Sequence, residues 1–197
     1  MKNLNFTYTK YLVIPFLAVL FFSCEEKDFG LVLNVDNEYT FTISDDGVYE
    51  ESKYITREEI MEQINREDVS NIDDVNIESI AIKIVPKEGN LASKVNIGGS
   101  LVDMNNQSTA LYASREVAFD DYKDFTPLTS LERAGILLLT EKVKGYINAT
   151  DDASLSITTF GTSVPEGERI ELDVIVRVRL TVKYTESLNV PNFMGNE

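Results

Sequence analysis

Residues 170–184 read Ile-Glu-Leu-Asp-Val-Ile-Val-Arg-Val-Arg-Leu-Thr-Val-Lys-Tyr. Every even position is apolar: Ile170, Leu172, Val174, Val176, Val178, Leu180, Val182 and Tyr184. The odd positions are mostly polar: Glu171, Asp173, Arg177, Arg179, Thr181 and Lys183. Side chains of a strand alternate between its faces, so this pattern specifies a strand with one buried face. At roughly 3.3 Å per residue it spans about 50 Å. Such a strand is expected to bend between two sheets or to be split by a bulge.

Working outward, residues 37–44 alternate in the same way, with Tyr39, Phe41 and Ile43 on one side and Thr40 and Thr42 on the other. Asp45-Asp46-Gly47 then supplies turn chemistry. A helix follows, opened by Thr56 and Glu59 at capping-box spacing, with Ile60 and Ile64 on one face and an end near Asn65. Residues 74–85 form a strand whose apolar phase moves from Val75 and Ile77 to Ile80, Ile82 and Ile84, which predicts a bulge near Glu78-Ser79. Residues 93–104 are strand with a kink at Gly98-Gly99. Residues 110–119 are strand with Leu111, Ala113, Val117 and Phe119 on one face. A second helix is expected from Ser130, capped by Thr129 and Glu132, closed by Gly145, and apolar nearly all round, as though held between layers. Residues 153–161 complete the strands, and Val164-Pro165-Glu166-Gly167 reads as a turn. Six or seven strands without βα alternation predict a mainly β fold: an antiparallel β-sandwich (Ig-like) with one or two accessory helices. A β-barrel around a ligand is the alternative.

The N-terminus reads as an export signal. Lys2 and Lys10 precede an apolar run from Tyr11 to Phe22. That run is shorter than the roughly 20 residues a spanning helix needs. Ser23-Cys24 follows, and Cys24 is the only cysteine. The small residue before a lone cysteine resembles the lipobox of bacterial lipoproteins, although Phe21 and Phe22 depart from its preferred residues. The resemblance implies cleavage before Cys24 and lipid on its thiol. Each buried methylene contributes roughly 0.8 kcal/mol, so two or three acyl chains hold a protein to a membrane without a transmembrane helix. Glu25-Glu26-Lys27-Asp28 resembles the acidic export stretch of Bacteroidetes-type cell-envelope lipoproteins. It implies an outer-membrane location with the cell surface preferred over the periplasmic face. The expected organisation is a signal peptide over 1–23, a lipidated tether over 24–36, a sandwich domain over 37–185 and a tail over 186–197.

Composition narrows the chemistry. Removing residues 1–23 takes away two lysines and no acid, so 18 basic residues become 16 against 33 acidic ones, a net charge of −17. Such a surface repels nucleic acid. There is no histidine, so the usual general base near neutral pH and the commonest transition-metal ligand are missing. No Gly-x-Ser-x-Gly elbow or Walker-type phosphate loop occurs. The expectation is a non-enzyme without a cofactor.

The candidate sites are few. Asp120, Asp121 and Asp124 cluster in one loop and are the calcium candidates, since calcium takes hard oxygen ligands. Their spacing lacks the glycine and terminal glutamate of an EF-hand, and a solvated acidic loop in an acidic chain is the favoured reading. Arg177 and Arg179 form a basic stripe that would either dock an acidic partner or pair with acids across strands. Tyr112, Tyr122 and Phe125 flank the acidic loop as a possible sugar-stacking platform. The leading expectation is a lipid-anchored binding or assembly module. It touches the membrane through Cys24 and takes an envelope protein or surface ligand as partner. The alternatives are a structural subunit or anchor of a surface fibre resembling the fimbrillins, or a carboxylate-based enzyme.

Overall fold

The computed structural model describes residues 23–64, 72–151 and 153–192. The apolar N-terminal run, the expected helix end at Asn65 and Asp152 lie outside the described residues. The chain divides into a main unit, Val32–Tyr184, and a terminal unit formed by the residues up to Leu31 and from Thr185 onward. In the terminal unit Ser187 Oγ donates to Asp28 Oδ1, while Phe29 and Leu188 are exposed.

In chain order the elements are β1 (Ser23–Asp46), β2 (Val48–Ile55), α1 (Arg57–Ile64), β3 (Ile72–Pro86), β4 (Lys94–Val102) and β5 (Ser108–Ala118). A 3₁₀ turn (Phe119–Tyr122), β6 (Thr126–Pro127), α2 (Arg133–Ile147), β7 (Leu155–Val164) and β8 (Arg169–Asn192) follow. The strands form two four-stranded sheets, ordered β1-β8-β3-β6 and β2-β7-β4-β5. Of the strands consecutive in sequence, only β4 and β5 share a sheet. The fold is therefore an antiparallel β-sandwich, and its crossing pattern is that of a jelly roll.

β8 keeps one phase throughout the main unit. Ile170 to Tyr184 are buried at every even position, as the alternation requires. The strand stays in one sheet and does not switch between two. β3 pairs with it antiparallel, with Ile77 opposite Leu180, Ser79 opposite Arg179 and Ile80 opposite Val178. The register shift between Ile77 and Ser79 absorbs the extra residue, Glu78. That bulge lets the phase change of β3 meet the unbroken phase of β8 with both apolar sets facing inward. β1 begins at Ser23, so the stretch expected as a tether is strand, and β8 runs on to Asn192 through the start of the expected tail.

Other expectations are corrected. β2 is absent from the sequence reading because its pattern is diluted: it lies at a sheet edge, and only Tyr49 and Ile55 are buried. β5 contains two register shifts against β4, which bury Leu111 and Tyr112 in succession and turn Ala113 outward. The Thr56/Glu59 capping box forms, with Glu59 N donating to Thr56 Oγ1 at 3.3 Å and Thr56 N to Glu59 Oε2 at 3.2 Å. The Thr129/Glu132 box does not: Glu132 is itself the N-cap of α2 and makes no side-chain cap bond. Gly145 lies inside α2, which runs on to Ile147. A methyl at Gly145 would stand 2.8 Å from Asp151 Cβ, so close packing explains this glycine. α2 buries Gly135, Leu139, Val143 and Tyr146 and leaves Leu137 exposed, so it covers the sandwich on one face only.

The buried residues of both sheets and both helices form one cluster, from Phe41 and Ile43 through Ile82, Ile97 and Leu111 to Val182. Two glycines permit its tight spots. Gly47, the one residue between β1 and β2, has φ +94°, and a methyl there would stand 2.8 Å from Gly167 Cα. Gly161 in β7 lies against β4 so closely that a methyl would be 1.7 Å from the Asn96 carbonyl oxygen. Gly161→Ala is expected to cost about 2 kcal/mol or more, as overpacking does. A denaturant midpoint unchanged from wild type would contradict this close approach.

Candidate binding face

The two outer faces of the sandwich differ in what their side chains do. On the β1-β8-β3-β6 sheet, β1 and β8 are laced by side-chain pairs. Thr42 donates to Asp173 at 2.8 Å, Ser44 to Glu171 at 2.8 Å, and Thr181 to Asn34 at 3.0 Å. Arg177 donates twice to Glu38 Oε1, at 2.9 and 2.6 Å. Arg179 grips both oxygens of Asp36, at 2.7 and 2.8 Å. The Arg177 guanidinium also lies 3.5 Å from the centre of the Phe125 ring. The basic stripe read from the sequence is thus engaged within the chain, by cross-strand pairing. A concavity of about 750 Å³ lies on this face, and the Asp36–Arg179 pair forms part of its lining. These pairs hold carboxyls in the charged form. The Arg179 hydrogen bond lowers the Asp36 pKa, Arg169 and Ser44 lower that of Glu171, and Lys87 and Thr42 lower that of Asp173 against an opposing desolvation.

The outer face of the β2-β7-β4-β5 sheet is open. Register places Glu50 opposite Phe160 and Phe160 opposite Gly98, in one row across three strands. The Phe160 ring lies over Gly98: a methyl on that glycine would stand 2.8 Å from ring atoms Cε2 and Cζ. Phe160 is nevertheless 36% exposed. On one side Ser52 stands opposite Thr158 and Thr158 opposite Ser100, the last two buried; on the other Val48, exposed, stands in line with Thr162 and Asn96. Ser52 and Thr158 share a hydrogen bond of 2.7 Å, and Asn96 Nδ2 donates to Thr162 Oγ1 at 3.0 Å. A concavity of about 670 Å³ lies here, lined by Asp45, Glu50, Glu51, Asn96, Phe160 and Thr162 among others. At Tyr49 the hydroxyl donates to the Asn96 carbonyl at 3.0 Å, and burial pushes its pKa far up.

The sequence-derived candidates are elsewhere. Asp120 and Asp121 lie in the 3₁₀ turn and Asp124 in the bend after it. Thr126 Oγ1 is within 3.0 Å of the Asp121 carbonyl and 3.1 Å of that of Asp124. Among the described residues no three His, Cys, Asp or Glu side chains converge to hold a metal ion. Tyr112 and Tyr122 are buried, and Phe125 is under Arg177, so the three do not make an exposed platform. Cys24 falls near the start of β1. Phe160 and Glu50 were not singled out from the sequence. The available signal was phase: Leu155, Ile157 and Thr159 are buried, which sets Phe160 on the opposite side of β7.

Neither a protein-family model nor a curated protein matches this chain. Solved structures do. The BFDV capsid protein in its decameric crystal form has 9% identity and a TM-score of 0.41, with 80% of this chain and 98% of that one covered. Turnip yellow mosaic virus has 9% identity and a TM-score of 0.30, covering 83% and 97%. A non-crystalline-cellulose-specific carbohydrate-binding module, CBM28, has 7% identity and a TM-score of 0.32, covering 75% and 72%. These are likenesses between β-sandwiches of different sequence.

The charge pattern dictates how stability depends on pH. Carboxyls with lowered folded pKa values leave the unfolded chain binding more protons, so their stabilisation is complete above about pH 5 and is lost as pH falls through 4 and below. Burial raises the pKa of Tyr112 and of Tyr146 to about 12, so their contribution is present below about pH 10 and is lost as pH rises beyond it. Denaturant midpoints measured from pH 2 to 12 are expected to form a plateau between those limits. In Asp36→Asn the acid limb becomes shallower; an acid limb identical to wild type would remove the Arg179 pair from the account.

Proposed function

We propose that this chain is a non-catalytic, lipid-anchored cell-envelope module that binds a partner through the open face around Phe160. The observation that carries the reading is the contrast between the two faces. One is satisfied by pairs within the chain. The other presents an aromatic ring, hydroxyls and carboxylates in a concavity. Convergent polar groups around an apolar surface are what a binding site requires.

The absence of catalysis is part of the proposal. The carboxylates with shifted ionisation, Asp36, Asp151, Glu171 and Asp173, are all lowered. A general acid near neutral pH needs the opposite shift. The chain also has no histidine to serve as base. Anchoring rests on Ser23-Cys24 after the apolar run, with the outer membrane and its surface as the proposed location. No helix among the described residues is long and apolar enough to cross a membrane. The anchor would concentrate the binding face beside other envelope components.

A fibre subunit is the second reading. It is favoured by β1, a 24-residue strand at the edge of its sheet. Edge strands accept donated strands. Concentration-dependent ladders on mild gels would select it.

Two measurements test the leading reading. Cells fed tritiated palmitate are expected to label the wild-type chain and not Cys24→Ala; equal labelling of both excludes lipid on Cys24. Mild cross-linking in detergent-solubilised envelope, read by mass spectrometry, is expected to recover a stoichiometric partner that Phe160→Asp loses. Equal recovery by both chains would move binding away from this face.

A further inference from the structure

We infer that the face around Phe160 docks a cationic, extended protein segment, with a lysine or arginine side chain seated on the Phe160 ring. The inference rests on the binding role proposed above and names the chemistry of the partner. Three features of the concavity carry it.

The first is charge. Asp45, Glu50 and Glu51 line the concavity, and no lysine or arginine does. Lys94, on the same sheet face, is engaged by Glu116 at 2.7 Å. The lining of the concavity is therefore net negative, on a chain whose net charge is −15. An anionic ligand is repelled within a Debye length, about 10 Å at 0.1 M salt, and a cationic one is drawn in.

The second is the ring. Phe160 lies against Gly98 through ring atoms Cε2 and Cζ and keeps over a third of its surface exposed. A π-face attracts a cation placed over it. Glu50 stands directly opposite Phe160 in the register, on the neighbouring strand. One ammonium or guanidinium over the ring is therefore within reach of a carboxylate as well.

The third is the floor. Asn96, Thr162 and Ser114 are short polar residues that line the concavity with the ring. They leave room for a main chain to cross and offer hydroxyl and amide groups to its peptide bonds. β2, which carries Glu50 and Glu51, is also an edge strand of its sheet. A neutral saccharide would use the ring and donate hydroxyls to the carboxylates but would not neutralise their charge.

The test uses the full mature chain, isotope-labelled for NMR, titrated with an acetylated and amidated octapeptide of alternating arginine and serine. A glutamate-for-arginine peptide and a neutral glucose hexasaccharide are the comparison probes. Amide shifts are expected to concentrate on Glu50, Phe160, Gly161 and Thr162 with the arginine peptide alone, and to weaken several-fold between 50 and 300 mM salt. Phe160→Leu keeps apolar packing on Gly98 and removes the π-face; it is expected to weaken binding about three-fold. Glu50→Gln with Glu51→Gln is expected to weaken it further. Asp120→Asn with Asp121→Asn, an acidic pair elsewhere, is expected to leave it unchanged. Equal weakening by the two acidic pairs would mean attraction to net charge alone and would overturn the inference. Shifts on the same amides from the hexasaccharide but not the peptide would also overturn it, while leaving the face as a binding site. No shift at these amides from any probe, with the partner still lost in Phe160→Asp cross-linking, would overturn the cationic chemistry only. Unchanged cross-linking would overturn the face as well.

Discussion

Burial of the even-numbered side chains of β8 is the constraint on which the rest depends. From Ile170 to Tyr184 each one is buried, and fully burying a residue of this size is worth roughly 1.5–3 kcal/mol relative to exposure. A one-residue slip would move the whole set to solvent, so the register of β8 is strongly specified. Its neighbours must comply. β3 does so through the bulge at Glu78, and β1 through Val35, Tyr39, Phe41 and Ile43, which bury on the same side. With that sheet determined, the second sheet supplies the other half of the core through Val95, Ile97, Leu101, Leu111 and Ile157.

The same alternation decides the outer faces. Since the odd positions of β8 must point outward, Arg177, Arg179, Glu171 and Asp173 share a face with the outward residues of β1. They meet Glu38, Asp36, Ser44 and Thr42 there. These pairs are largely exposed, and exposed pairs contribute little to stability individually. Their effect is on availability: they leave that face with its charges matched. On the opposite sheet Phe160 stands among Glu50, Gly98, Thr162 and Asn96, and the described cation–ring contacts lie elsewhere, at Phe125 and Tyr122. A binding role is proposed for that face because its ring and carboxylates meet in a concavity.

The helices close the sandwich through one tyrosine. Tyr146, wholly buried in α2, has its hydroxyl 2.8 Å from the Ala153 carbonyl and 3.2 Å from that of Ile55, and its own carbonyl accepts from Arg57 Nε at 2.8 Å. It thus joins the end of β2, the start of α1 and the lead-in to β7. Asp151 adds to this corner, accepting from Lys142 at 2.6 Å and from Ala153 N at 2.9 Å. The helix read from the sequence is present, but its caps differ because local signals were outweighed. Gly145 looked like a stop but is small because Asp151 crosses it, and Thr129 looked like a cap but accepts instead from Arg115 at 3.4 Å.

What the sequence alone determined was the sandwich class, the long last strand, the phase change in β3 and the α1 capping box. Each is encoded within a few residues, by period-two alternation or by the spacing of complementary groups. The tertiary structure decided which strands are neighbours, where the edge strands β2 and β6 lie, and which glycines make room for rings. It also decided the candidate site. Phe160, Glu50 and Gly98 are far apart in the chain and become one row only through the register of β2, β7 and β4. Asp120, Asp121 and Asp124 are adjacent in sequence yet do not converge. Proximity along the chain is a poor guide to proximity in a sandwich, because its strands pair across long sequence separations and send neighbouring side chains to opposite faces.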